Sequence, residues 1–247
     1  MRTCHQWAKR RGASLTLPNA GRATAGTKNK ANIYGVIGAT GMGKSSYIKG
    51  DLLRSYTRLL VWSPLEETDD YESFCGGVVT TKITDFVKEV KAGTKAIIFV
   101  ASSRDAEKKE QFEWFCRAAW LTPGAHVLVE ELSEVTLPSW APPAWKKLST
   151  AGRHKGLTVI GVAQRPANMD KNFLGNCTEI RCYGLNWEPD AKVMASVMRL
   201  PTVYETDAKS KKTVAQKPHE QLLMLPPLQF FHRNPDKSVR YGVNKPL

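Results

Sequence analysis

Asn32-Ile33-Tyr34-Gly35-Val36-Ile37 runs directly into Gly38-Ala39-Thr40-Gly41-Met42-Gly43-Lys44-Ser45-Ser46. An apolar run ends in the spacing G-x-x-x-x-G-K-S, the phosphate-binding P-loop. Each residue type in it has a physical task. The glycines reach backbone angles that a Cβ forbids, so successive N–H groups can turn inward around a phosphate. A helix expected over Lys44 to Tyr56 points its partly positive N-terminus at the same phosphate. Gly38 through Ser46 are therefore the candidate nucleotide-binding residues. Lys44 is placed to reach the β- and γ-phosphates, and the Ser45 hydroxyl to ligate Mg²⁺. A plain strand-to-helix turn does not require the adjacent Lys-Ser pair. Nothing in the motif separates ATP from GTP.

Downstream, apolar runs alternate with helical spacing. Arg58-Leu59-Leu60-Val61-Trp62 reads as a buried strand that stops at Ser63-Pro64, where proline blocks further pairing. Glu66-Glu67-Thr68-Asp69-Asp70 reads as a solvated acidic loop, although such a cluster has the chemistry to hold a metal. Val78-Val79 is a short strand; Ile83, Phe86, Val87 and Val90 recur at helical spacing. Lys95 to Ala101 is another strand. A long helix is expected over Asp105 to Trp120, its stripe of Phe112, Phe115, Cys116 and Ala119 facing the core.

His126-Val127-Leu128-Val129-Glu130-Glu131 is the second candidate site. A buried strand brings two carboxylates out at its end, where P-loop NTPases hold the Mg²⁺ shell. Period-two geometry sends adjacent side chains in different directions. That assigns Glu130 to Mg²⁺ and Glu131 to the general base that polarises the attacking water. A third strand, Leu157 to Ala163, ends in Gln164-Arg165-Pro166. Ligands in parallel sheets sit at the carboxyl ends of strands, so Gln164 can sense a γ-phosphate there.

The remaining stretches are less specific. Pro138 to Pro143 reads as a loop and Ala144 to His154 as a helix. Trp140 and Trp145, among lysines, have the chemistry to stack on nucleic acid or simply to pack. Thr178 to Tyr183 reads as the last core strand and Pro189 to Arg199 as a helix. Thr202 to Pro218 is polar and basic, with Lys209-Ser210-Lys211-Lys212, and reads as a mobile loop, either solvated or touching phosphates. Leu228 to Tyr241 reads as a closing β-hairpin around Asn234-Pro235-Asp236-Lys237. Residues 1–31 carry seven Lys or Arg and no acid, the pattern of a basic, poorly ordered arm, either a solvated tail or a contact for phosphates or a neighbouring subunit. The division expected is an arm over 1–31, an ATPase core over 32–200 and a C-terminal extension over 201–247.

The chain has 247 residues and a formal net charge of +13. That length accommodates one large α/β domain with tails. The charge points to a polyanionic partner, most simply nucleic acid, or to a generic basic surface. Its five cysteines (Cys4, Cys75, Cys116, Cys177, Cys182) are odd in number and contain no C-x-x-C, so neither a disulfide framework nor a zinc ribbon is indicated. No apolar run approaches the roughly 20 residues that span a bilayer, and the N-terminus lacks the apolar stretch of a secretory signal.

Three elements now stand in order: Gly38 to Ser45, Val127 to Glu131, and Gly156 to Pro166. The third, with its terminal Gln-Arg-Pro, resembles the FtsK/HerA superfamily of DNA-pumping ATPases over roughly residues 32–185. The resemblance implies a RecA-like α/β fold, a mostly parallel central sheet flanked by helices, here with the C-terminal β-hairpin added. It implies ATP and Mg²⁺ as ligands, DNA (double-stranded) as the polymer moved, and a homo-oligomeric ring. An arginine donated by the neighbouring subunit would complete each site. By position Arg153 is the candidate, with Arg165 and Arg181 as alternatives, and Gln164 matches the family's polar sensor. One departure is that the family usually has Asp before Glu at the acidic strand end, where Glu130 stands here. In compactness the chain is similar to the genome-packaging ATPases of membrane-containing icosahedral viruses. That implies action in the host cytoplasm and at the virion packaging vertex, with a portal or packaging-vertex protein as a further partner. The assembly ATPases of filamentous phages (zonula-occludens-toxin-like), a nucleotide switch or scaffold, and a small-molecule kinase are the alternatives.

Overall fold

A computed structural model describes residues 32–206 and 213–245. The basic arm and the Lys209 to Lys212 run lie outside the described residues. β1 (Asn32–Ile37) leads into a short helix α1 (Lys44–Tyr47) that continues as a π-turn, Ile48–Leu52. β2 (Leu59–Trp62) is followed by helices α2 (Glu66–Asp69) and α3 (Tyr71–Cys75). Then come β3 (Val78–Thr80), α4 (Ile83–Ala92), β4 (Ala96–Phe99), α5 (Asp105–Trp120) and β5 (His126–Val129). A 3₁₀ turn, Leu132–Glu134, precedes α6 (Pro143–Ala151), and another, Gly152–Lys155, precedes β6 (Thr158–Ala163). α7 (Lys171–Asn176), β7 (Glu179–Tyr183) and α8 (Glu188–Met198) complete that half. The chain closes with β8 (Val203–Thr206), β9 (Thr213–Gln216), α9 (Pro218–Leu223), β10 (Gln229–Arg233) and β11 (Val239–Val243).

The main sheet has nine strands in the order β11-β10-β7-β1-β6-β5-β2-β4-β3. All pairs from β7 to β3 are parallel, and β10 and β11 are added antiparallel at one edge. Helices cover both faces, which is why the strands read as continuous apolar runs. Alternation along each strand sorts its side chains between two cores. Leu60, Trp62, Val127, Val129 and Val159 enter one; Val61, Leu128, Ile160 and Val162 enter the other. The first core holds the aromatic stripe of α5. Trp62 stacks on Phe99 at 5.4 Å and meets Phe112 edge-on at 4.9 Å, while Trp145 packs 5.2 Å from Phe173. Trp145 is thus a packing residue; Trp140 is exposed. The second core lies under α1, with Tyr47 and Ile48 buried against Val36.

Several expectations are corrected. The helix after the phosphate loop is α-helical only to Tyr47; the Leu53 N–H then reaches back five residues to the Ile48 carbonyl at 2.9 Å. Gly50, with weak helical preference, lies in that widened turn. The helix expected to reach His154 is α-helical to Ala151 and tightens to 3₁₀ beyond. The stretch 202–218, read as a mobile loop, contributes the antiparallel pair β8–β9, with Val203 opposite Gln216. Its polar composition hid strands whose pairing is to each other rather than to a core. The acidic stretch 66–70 is not a loop: Glu66–Asp69 is the helix α2, and Asp69 reaches back to Ser63 at the end of β2 while Glu67 and Asp70 stay exposed.

Candidate active site

β1, β6, β5 and β2 are adjacent and parallel, so their carboxyl ends share one edge of the sheet. Register levels them: Ile37 lies opposite Ala163, and Val129 opposite Gly161. The phosphate loop, Gln164 and the Glu130-Glu131 pair therefore emerge side by side, although nearly 130 residues of chain separate the first from the last.

The loop turns through two left-handed positions, Gly41 at φ 74° and Gly43 at φ 105°, where a Cβ would be strained. Its start is held to the sheet: the Gly38 N–H donates to the Ala163 carbonyl at 3.2 Å and the Ala39 N–H to the Gly184 carbonyl at 2.9 Å. Lys44 Nζ donates to the carbonyls of Gly38 at 2.8 Å and Ala39 at 3.1 Å. Burial lowers the Lys44 pKa, while Glu130, Glu131 and Asp69 oppose that shift. Thr40, Gly41 and Ser45 are exposed, Met42 and Ser46 half-buried.

Gln164 links the elements. Its Oε1 accepts from the Thr40 hydroxyl at 2.5 Å, and its Nε2 donates to Glu131 Oε1. A single amide thus ties the phosphate loop to the acidic strand end. The two carboxylates separate by a device other than strand alternation. β5 ends at Val129, and Glu131 sits at φ 48°, a left-handed conformation unusual for a side-chain-bearing residue. That turn throws Glu131 toward Gln164 while Glu130 stays buried and accepts from the Tyr71 hydroxyl.

Two residues of this site were not found from sequence. Asp69, in the acidic stretch, accepts from the Ser63 hydroxyl at 3.2 Å, and Tyr71 is buried against Glu130. Neither carries a motif; the only hint was acidity beside a strand end. Burial raises all three carboxylates. Glu130 is pushed up to about 8, with Asp69 and Glu131 adding to the rise and Tyr71 and Lys44 opposing it. Glu131 and Asp69 also move upward, chiefly by burial, against donors from Gln164 and Ser63 respectively. Burial and neighbouring carboxylates work against ionising these groups, and the Lys44 ammonium works for it. Carboxylate and hydroxyl oxygens are the donors a hard divalent cation such as Mg²⁺ takes, but among the described residues no three acidic, His or Cys side chains converge to hold a metal by themselves.

The arginine candidates separate clearly. Arg153 is exposed in the 3₁₀ turn before β6, at the opposite edge of the sheet from the site. The six residues of β6 put it roughly 20 Å away. Arg165 is half-exposed, donates to Asp190 Oδ2 at 2.9 Å and stacks 4.3 Å from the Trp187 ring. Arg181 is engaged within its own chain. It is 6% exposed, sandwiched between Tyr47 at 3.4 Å and Phe230 at 4.0 Å.

Comparison with known proteins agrees with this architecture. No protein-family model matches the chain. Protein P9 of Pseudoalteromonas phage PM2 is 32% identical over 172 residues, covering 68% of this chain and 75% of that protein. Among solved structures, the genome packaging NTPase B204 from Sulfolobus turreted icosahedral virus 2, in complex with AMPPCP, superposes with a TM-score of 0.62 at 17% identity, covering 88% of this chain and 98% of that one. VirB4 of Thermoanaerobacter pseudethanolicus gives 0.64 at 13%, covering 91% and 92%. The bacterial conjugative coupling protein TrwB gives 0.56 at 10%, covering 87% and 84%. At these identities the structural likeness speaks for the fold.

Proposed function

The chain belongs to the family of Protein P9 of Pseudoalteromonas phage PM2, and on that premise we propose that it is an ATP-hydrolysing DNA translocase, a subunit of a viral genome-packaging motor. The observation that carries the proposal is the Gln164 amide joining Thr40 of the phosphate loop to Glu131. Such a link lets the presence of a γ-phosphate and the placement of a base depend on one another. The fold shared with a genome packaging NTPase supports the motor reading, and the charge of +13 supports a polyanionic track.

In this reading the N–H groups of the loop and Lys44 hold the β- and γ-phosphates. Ser45 and Glu130 would hold Mg²⁺. The cation, when bound, supplies positive charge against the phosphate oxygens. Glu131 accepts a proton from water as its oxygen attacks the γ-phosphorus; the bond to the β-phosphate oxygen breaks and ADP leaves with that electron pair. Glu131 must be ionised to do so, and its raised pKa makes it a stronger base than an exposed carboxylate. Arg153 reaches the γ-phosphate of a neighbouring subunit's site in a ring. Its position at the far edge of its own sheet supports that assignment over an action within its own site. The protein acts during virion assembly, in the host cytoplasm and at the packaging vertex.

The test is the steady-state ATPase rate with and without double-stranded DNA, at low and moderate salt. Stimulation that fades with salt is the expected result, since phosphate contacts release counterions. Hydrolysis indifferent to DNA would favour a nucleotide switch. Lys44→Ala should abolish turnover, and Glu131→Gln should bind ATP while hydrolysing it at least about a hundredfold more slowly. For the filamentous-phage alternative, no described helix is long and apolar enough to cross a membrane.

A further inference from the structure

The strand ends explain where the phosphate loop lies. They do not explain what holds its peptide planes. Each N–H that faces a phosphate belongs to a peptide whose carbonyl points the opposite way, because the bond is trans and planar. For the Met42–Gly43 and Gly43–Lys44 peptides those carbonyls are not left to water. The Leu228 N–H donates to the Met42 carbonyl at 2.9 Å. Asn244 Nδ2 donates to the Gly43 carbonyl at 3.3 Å and to the Tyr183 hydroxyl at 2.7 Å. The two holding residues are themselves joined, the Asn244 N–H donating to the Leu228 carbonyl at 2.8 Å.

The orientation of the Asn244 amide is dictated by its other neighbour. Arg181 Nη1 donates to Asn244 Oδ1 at 2.8 Å. A guanidinium can only donate, so the amide oxygen must face it and the NH₂ must face Gly43. Arg181 in turn cannot swing away: it is buried between Tyr47 and Phe230, with Asp51 Oδ2 3.7 Å from Nη1. The loop also approaches this segment closely at Gly43. A Cβ on Gly43 would lie 2.8 Å from Leu228 Cδ2.

We propose that Asn244 is a positioning residue for nucleotide phosphates. It pins the Gly43 carbonyl outward so that the Lys44 N–H faces inward, while Leu228 does the same for the Gly43 N–H, and Arg181 sets the amide. If the peptide flipped, a carbonyl oxygen would face the phosphates and repel them. The proposal rests on Gly38 to Ser46 being the phosphate site, and it makes the C-terminal segment part of that site.

The probe is the non-hydrolysable analogue AMPPCP, with AMP as a single-phosphate control, titrated against the full chain. Asn244→Asp keeps the acceptor for Arg181 but sets a carboxylate oxygen against the Gly43 carbonyl. It should weaken AMPPCP binding about tenfold or more, since a hydrogen bond becomes a repulsion at that carbonyl. AMP affinity should change less than about twofold, and kcat should fall far less than KM rises. Asn244→Ala, which adds no charge, should lose about fivefold for AMPPCP, the worth of one hydrogen bond, and serves if the Asp variant does not fold. Unchanged AMPPCP affinity in a folded variant would overturn the proposal. So would equal losses for AMPPCP and AMP, which mark general damage. Lys44→Ala separates the premises: if it too binds AMPPCP normally, the phosphate-site assignment itself fails, and if it alone loses binding, only the role of Asn244 fails.

Discussion

Glu130 is held in an environment far from its chemistry in water. Its pKa rises from 4.5 to about 8 because burial penalises the carboxylate more than Tyr71 and Lys44 favour it. The folded chain therefore holds this proton more tightly than the unfolded chain between those two values. By linkage, the group's contribution to stability is greatest below about 4.5 and is lost as pH rises through about 8. Glu130→Gln removes the titration and still accepts from Tyr71. Without nucleotide or divalent cation, the variant should melt several degrees above the parent at pH 8.5, and the gap should shrink toward pH 5.5. A gap independent of pH would mean that Glu130 titrates as an exposed carboxylate does. At this scale the sequence was partly legible. Lys44, Glu130, Glu131 and Gln164 announce themselves by position in motifs. Asp69 and Tyr71 do not, because two short helices, α2 and α3, too brief to show an apolar repeat, bring them back to the strand ends.

Among elements, the added pair β10–β11 bears most on the site. β10 is anchored at its far end by Arg233, whose Nη1 donates to the Val197 carbonyl and Nη2 to the Cys177 carbonyl, both at 2.9 Å. One side chain thus joins β10, the end of α8 and the turn before β7. Arg233→Met should destabilise the protein by about 2–4 kcal/mol, because two carbonyls lose a charged donor and one of them is buried. Urea unfolding followed by circular dichroism would check it; a loss under about 0.5 kcal/mol would place both carbonyls in contact with water. Apolar patterning foretold α5 by its stripe and β6 by its continuous run almost to the residue. It missed β8–β9, where no core imposes a pattern, and the π-turn after α1, where Tyr47 and Asp51 answer to Arg181, a residue 130 positions away.

At the scale of the molecule, the site lies along the carboxyl-end edge of the sheet and Arg153 along the amino-end edge. A ring that stacks one subunit's edge against the next subunit's opposite edge needs that polarity. Mixing Arg153→Ala subunits with Lys44→Ala subunits should restore part of the hydrolysis that each lacks alone, because some interfaces then combine an intact loop with an intact arginine. No recovery in a demonstrably mixed assembly would assign Arg153 to the basic surface instead. The same excess of positive charge predicts that DNA stimulation weakens steeply with salt.

The sequence by itself determined the chemistry on offer and the kind of fold: a phosphate loop after an apolar strand, paired carboxylates and an amide at later strand ends, and apolar runs too continuous for a sheet with a wet face. Such signals are local, a spacing or a period readable within a dozen residues. The tertiary structure decided which strand ends became neighbours, how Asp69 and Tyr71 joined them, that Arg181 is buried between Tyr47 and Phe230, and that Asn244 reaches Gly43 across 201 positions. Those outcomes depend on strand order and on burial from both faces of the sheet. They are long-range packing terms for which no short stretch of sequence carries a period.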